Sequence, residues 1–527
     1  MIQKFRLFCT LGMLSFFLFA FISCDKDEPK VKTDVTDNSS QEEPDDTNQT
    51  QDEDEADLEK PEYEVSDFVW QAMNFFYFWQ DDVDLLANSV GENRNQYIKM
   101  IKENSDSEKF FESLVHDDDR FSWFIDDYIE QEKSFQGVSK DHGMDFRLSY
   151  INKEVNNDLV GYVRLVYKES NAEQQKVKRG MLFTHINDQA LTSNNFSSLI
   201  GEDSFTITLA DWNDEKREFE NTDTKITLTK QEDFSKNPII VNKVIERGSE
   251  KIGYLFYNQF VSNNERHIEL NDVFGEFKSE GITELIVDLR YNRGGSNATY
   301  IFIASAISGK GSNDIVAKSF WNRNVLDQWF KGADVEIENF YDDVPLRNRE
   351  PSVSINKLDL QRVYFITSGS TASASEQLIN NLKPYMEVIQ VGDITVGKND
   401  GSFTLYDLGD IHPSGYFSRG NGTVNPNHKK AIQPLVVKSG NSEDFYQFED
   451  GLVPDHEIKE HIVNLGTIGE PNQERLLDEV LELIVPSGKR FSFDDGIIDF
   501  EFEPMTTLED NTGFLIYDSK LPSVFIE

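Results

Sequence analysis

Residues 365–376 read Phe-Ile-Thr-Ser-Gly-Ser-Thr-Ala-Ser-Ala-Ser-Glu, and Gln377 to Leu382 continue the run. The apolar residues of a buried strand give way to a turn of small hydroxylated residues, and these open a helix. A strand that feeds a helix in this way is a building block of α/β folds. Serines at the start of that helix meet amides with no intrahelical acceptor and the positive end of the helix dipole, which favour an alkoxide or an oxyanion. An ordinary N-capping run reads the same way, so chemistry here requires companions elsewhere in the chain.

Two companions flank this stretch. Upstream, Ile286-Val287-Asp288-Leu289-Arg290-Tyr291-Asn292-Arg293-Gly294-Gly295 is a buried strand ending in a polar loop with paired glycines, where backbone can approach a ligand closely. Downstream, Val391-Gly392-Asp393-Ile394-Thr395-Val396-Gly397-Lys398 delivers a lysine from a strand and turn with apolar neighbours. Burial disfavours an ammonium ion, so such a lysine can act as a neutral general base and activate a serine that has no histidine partner. The eight histidines form no Ser/His/Asp order and no metal-binding spacing, and His412, His428 and His456 read as surface residues in polar loops. No metal and no cofactor is expected.

These stretches resemble the carboxyl-terminal processing peptidases, or tail-specific proteases. Thr371-Ala372-Ser373-Ala374-Ser375-Glu376 matches the family's nucleophile motif, with the nucleophile falling on Ser373, and Thr395-Val396-Gly397-Lys398 matches its lysine turn 25 residues on. Asp288 to Gly295 matches the loop that supplies an oxyanion-hole amide, and Gly451-Leu452-Val453-Pro454-Asp455 matches a closing segment. The resemblance implies a multidomain α/β protein: a helical N-terminal domain (63–135), a PDZ-like β domain (136–232) and a ClpP/crotonase-like protease core (233–489). It implies a serine endopeptidase with a Ser373/Lys398 dyad, oxyanion amides from Gly295 and Ala374, and protein or peptide substrates cut near their C-termini. The family often carries glutamine four residues after the lysine. Here that position is Ser402, so Ser402 and Asn399 are the candidates for orienting Lys398.

Outward from the core, Pro238 to Gly488 alternates buried strands (Ile252–Tyr257, Leu285–Leu289, Val363–Ile366) with helices and closes on a helix over Gln473–Ile484. Gly137 to Lys230 alternates short β-prone runs with turns, as a PDZ domain does, and Gly143-Met144-Asp145-Phe146 stands where such domains carry a carboxylate-binding loop. Asp145 replaces the second glycine of that loop. Tyr63 to Tyr128 is aromatic-rich and helical in pattern, with an amphipathic helix over Asn88–Glu103. Residues 490–527 are β-prone and aromatic, with no role evident.

The N-terminus reads as an address. Lys4 and Arg6 precede an apolar run that ends at Phe21-Ile22-Ser23-Cys24. This resembles a bacterial lipoprotein signal (1–23), with Cys24 acylated; an outer-membrane lipoprotein of a Gram-negative bacterium, on either face, is the expected setting. Residues 24–62 form an acidic tether, in which Asp25 to Lys60 hold 15 acids and 4 lysines. Among 527 residues, 51 basic and 95 acidic side chains give a net charge of −44, which excludes a nucleic-acid partner. Two cysteines supply neither a disulfide framework nor a zinc site. The composition does not set the oligomeric state. A second reading is a surface-displayed binding lipoprotein that keeps the fold and has lost efficient catalysis, supported by Asp145 and Ser402.

Overall fold

A computed structural model describes residues 58, 60–347, 351–409, 411–487 and 514–516, which belong to one compact unit. The signal, Cys24 and most of the tether lie outside the described residues. Among the described residues no helix is long and apolar enough to cross a membrane.

At the centre is a six-stranded sheet in the order Ile239–Arg247, Glu250–Tyr257, Glu284–Asp288, Arg362–Thr367, Glu387–Gly392, His456–Glu457. The first two strands form an antiparallel hairpin and the rest run parallel. Parallel neighbours need crossovers, and the helix Asn264–Glu280 makes the first, closing at Gly281 in a left-handed cap. Both faces of the sheet are buried. Leu255, Val287 and Phe365 face one core, and Tyr254, Ile286 and Ile366 face another, against the helix Arg475–Ile484. That two-sided burial explains why these strands read as continuous apolar runs. At the C-terminal ends of three parallel strands, Asp288, Thr367 and Gly392 lead into the three loops that the sequence singles out.

A second six-stranded sheet lies beside them, in the order Gly294–Ser296, Phe514–Ile516, Asp400–Ser402, Leu435–Gly440, Ile315–Trp321, Glu336–Asn339. The 490–527 segment, to which the sequence assigned no role, therefore contributes a strand.

The N-terminal region is helical as expected, through Glu64–Phe76, Arg94–Glu103 and Ser107–Leu114. The single helix expected over Asn88–Glu103 is two, Asn88–Glu92 and Arg94–Glu103. Asn93 interrupts it because its side chain accepts from the amide of Gln96 and caps the second helix. Phe68, Trp70 and Phe76 are buried in the same core as the central sheet. Trp123–Ile125 pairs antiparallel with Ala431–Gln433, which ties the N-terminal region to the second half of the chain.

The inserted β unit has a six-stranded antiparallel sheet: Met144–Tyr150, Leu159–Val166, Leu182–Ile186, Ser204–Asn213 and Glu218–Thr229 in order, with the short Gln189–Ala190 pairing off Leu182–Ile186. It has its own core around Leu148, Val163, Phe183 and Ile207. Its closing strand Gln231–Ser235 pairs with Val138–Asp141 and so runs across the boundary expected at 232. One expectation fails here. Met144, Asp145 and Phe146 are not a loop; they pair with Val166, Leu165 and Val163 as strand residues. Only Gly143 keeps turn geometry, at φ 79°, where a Cβ would stand 2.0 Å from that of Ser170. Asp145 is held by Arg164 Nε at 2.7 Å.

Candidate active site

The serine turn is built by hydroxyl contacts with the loop after Glu284–Asp288. Thr371 Oγ1 donates to the carbonyl of Leu289 at 2.9 Å, and Ser368 Oγ donates to that of Arg290. The carbonyl of Asn292 accepts from both the amide of Ala372 (3.1 Å) and Ser375 Oγ (3.0 Å). The small hydroxylated residues are thus the stitches between two loops, which explains their density better than capping alone.

The loop itself is pinned from below. Arg290, fully buried, spends its guanidinium on Asp288 (2.6 Å), Glu474 (2.8 Å) and Glu460 (2.9 Å). Tyr254 donates to Asp288 at 2.7 Å. A buried charge is tolerable only when paired and hydrogen-bonded, and here three carboxylates surround one cation. Asn292 then fixes the loop's exit: its amide group donates to the Tyr257 carbonyl and its oxygen accepts from the amide of Gly294, both at 2.8 Å. Gly295 follows at φ 137°, where a Cβ would lie 2.3 Å from the Phe260 carbonyl oxygen. No other residue fits that approach.

Ser373 opens the helix Ala374–Leu382 at φ 60°, ψ −115°, a left-handed conformation that costs a non-glycine residue about 1–3 kcal/mol. It is fully buried, and its hydroxyl has no hydrogen-bond partner among the described residues. Ala374 is the first helical residue, so its amide has no acceptor within the helix.

Glu376 joins the serine turn to the lysine turn. Its buried carboxylate accepts from the amides of Ser373 (2.6 Å), Gly397 (2.7 Å) and Lys398 (2.9 Å) and from Thr395 Oγ1 (2.5 Å). One oxygen takes both the 2.6 Å bond from Ser373 and the 2.9 Å bond from Lys398, so those two amide nitrogens are no more than 5.5 Å apart. Ser373 and Lys398 are therefore neighbours in the fold. The Gly451–Asp455 segment braces the lysine turn: Thr395 Oγ1 accepts from the Leu452 amide at 2.7 Å, and Asp455 accepts from the Gln390 amide at 2.8 Å. Gly397, at φ 84°, would put a Cβ 2.1 Å from the Glu449 carbonyl.

Lys398 is fully buried. Burial pushes its amine down to about 8, while Asp400, Asp119 and Glu376 pull it back up and Arg120 pushes it further down. Burial also raises the Asp400 carboxyl, to about 6. Of the candidates for orienting the lysine, Asn399 is engaged elsewhere: its side-chain amide donates to the Tyr446 carbonyl and to Glu449 at 3.3 Å. Ser402 is fully buried, and its hydroxyl accepts from Gln433 Nε2 at 3.1 Å.

Three contributors were not visible in the sequence. Gln433, which holds Ser402, comes from a strand 31 residues further on. The other two belong to the N-terminal region. The ring of Phe121 lies 4.8 Å from the Lys398 ammonium, and Arg120 donates to the carbonyls of Gly397 (2.7 Å) and Glu449 (3.0 Å). Asp119 anchors this loop by accepting from Tyr77 (2.8 Å) and from the amides of Phe121 and Ser122. Arg120 lies 277 residues from Gly397, so no local motif reports the contact. A further contact comes from the inserted β unit, where Arg147 (2.9 Å) and Arg164 (3.1 Å) both donate to Ser370 of the serine turn. Gly143 to Phe146 are not part of the serine–lysine cluster described above. Among the described residues no group of acids, histidines and cysteines could hold a metal.

The sequence pattern of peptidase family S41 matches residues 251–432, and that of the peptidase S41 N-terminal domain matches 64–123. Relatives named CtpA-like serine proteases include one from Staphylococcus epidermidis, 25% identical over 84% of this chain and 79% of its own, and one from Staphylococcus aureus, 24% identical over 67% and 62%. A crystal structure from Bacteroides fragilis, titled as an S41 protease, superposes with a TM-score of 0.58 over 79% of this chain and 96% of its own, at 20% identity.

Proposed function

Because the chain belongs to peptidase family S41, a family of serine-type peptidases, we propose that it cleaves protein or peptide chains through a Ser373/Lys398 dyad. The observation that carries this reading is the shared Glu376 carboxylate, which holds the backbone of a buried serine beside that of a buried lysine whose amine is lowered to about 8. Neutral Lys398 takes the Ser373 proton as Oγ attacks the substrate carbonyl carbon. The oxyanion is held by the amides of Gly295 and Ala374, with each such donor worth about 3–4 kcal/mol. Collapse of the intermediate breaks the peptide bond, and Lys398 returns the proton to the leaving nitrogen. Water then attacks the ester, again with Lys398 as base, and releases the acid and free Ser373.

Cleavage of an unfolded protein such as casein, by the chain lacking residues 1–23, tests this. Ser373→Ala is expected to lower kcat/KM by about 10³-fold or more. An unchanged rate would refute the assignment. The alternative, a binding protein without catalysis, gives no Ser373-dependent cleavage at any pH.

Arg120 acts as a positioning residue for the base. Its charge helps keep Lys398 neutral, so Arg120→Ala is expected to move the midpoint of the rising limb of kcat/KM upward from about 8, slowing cleavage most at pH 7. A purely structural role would lower the rate at every pH without moving the midpoint. Arg120→Lys, which keeps the charge, is expected to restore most of the profile.

A further inference from the structure

Phe514–Ile516 is second in the second sheet, between its edge strand Gly294–Ser296 and Asp400–Ser402. On one side it pairs parallel with Gly294–Ser296, in the register Gly294 with Phe514, Gly295 with Leu515 and Ser296 with Ile516. On the other side Ile516 pairs with Ser402 of the strand that follows Lys398. Without this segment the Gly294–Ser296 and Asp400–Ser402 strands would have no strand between them, because neither pairs with the other. Neighbouring strands lie about 4.8 Å apart, so the gap is one strand wide and is bordered by exposed backbone donors and acceptors.

One wall of that gap is the loop whose Gly295 amide is assigned to the oxyanion hole, and the other begins two residues after the base. We propose that the gap is the track that takes substrate as an added β-strand, and that the chain's own C-terminal segment is its resident occupant, excluding other peptides until it is displaced. This rests on the Ser373/Lys398 reading for the identity of the walls. Strand addition takes its affinity from main-chain hydrogen bonds, so it suits substrates of many sequences in unfolded form. The 28 residues between Val485 and Phe514 can span at most about 95 Å.

Full-length Leu515→Pro tests the proposal, because proline removes an amide from a strand flanked on both sides and is not accommodated there. The variant is expected to cleave casein at least 5-fold faster than the wild type. A second readout is independent of catalysis. A fluorescent peptide of residues 510–520 is expected to bind the Ser373→Ala/Leu515→Pro double variant at least 10-fold more tightly than Ser373→Ala alone, whose track is occupied. Equal peptide binding by the two would overturn the proposal, whatever the casein rates. Loss of Ser373-dependent cleavage with tighter peptide binding retained would instead count against the catalytic reading and leave the strand assignment standing.

Discussion

Lys398→Met is expected to abolish cleavage and to make the protein more stable at neutral pH. Methionine matches the lysine stem in length and carries no charge into a fully buried position. The folded-state pKa of about 8 lies below the ordinary 10.5. The folded protein therefore disfavours the ammonium ion, a cost fully present below pH 8 that fades as pH rises toward 10.5. At pH 7 the shift corresponds to about 3 kcal/mol, and removing it should raise Tm by several degrees. The gain should shrink between pH 8 and pH 10.5, as the wild-type amine loses its proton in the unfolded chain too. Thermal unfolding at pH 7 and pH 10 reads both effects. A variant no more stable than wild type at pH 7 would mean that the lysine is held at no cost, which is not how a poised base is made.

Glu376→Ala carries the largest expected loss of stability. Its carboxylate satisfies three buried amides and one buried hydroxyl, and alanine leaves all four without an acceptor. Each orphaned donor costs about 1–3 kcal/mol, so a loss above about 4 kcal/mol is expected. Activity should fall at least 10²-fold in whatever fraction folds, because the same carboxylate fixes the spacing of the serine and lysine turns. Glu376→Gln keeps the shape and one acceptor oxygen but turns an amide group toward the donors, and should be intermediate in both respects. Denaturant unfolding alongside kcat/KM separates the two effects. A loss below about 1 kcal/mol for Glu376→Ala would show that the amides find other acceptors and that the carboxylate is not the tie between the turns.

Chemistry was most legible where it is local. The serine turn, the Asp288–Gly295 loop and the lysine turn are each a strand end followed by a few contiguous residues, so each keeps a short motif whose resemblance to the family marked it. Ser373 and Lys398 fall together because the parallel strands Arg362–Thr367 and Glu387–Gly392 are adjacent in the sheet. What the sequence concealed is long-range. Arg120 and Phe121 reach the lysine through the pairing of Trp123–Ile125 with Ala431–Gln433, and Gln433 supports Ser402 from that same pair of strands. The expected loop at Gly143–Phe146 failed for a different reason. A Gly-led apolar pattern reads as a loop, but Met144 to Phe146 pair with the Leu159–Val166 strand and form the edge strand of that sheet. The same limit hid the tail: three residues, Phe514 to Ile516, carry no motif, and only their partners give them meaning.

Cleavage through the dyad requires an acyl-enzyme at Ser373, and acid-quenched mass spectrometry reads it directly. After brief incubation at pH 8 with a peptidyl p-nitrophenyl ester, the digest of the protein should contain one acylated peptide, with the added mass on Ser373. The adduct should be absent from Ser373→Ala and strongly diminished in Lys398→Ala. Acylation at another residue, or undiminished acylation of Ser373 without Lys398, would contradict the dyad.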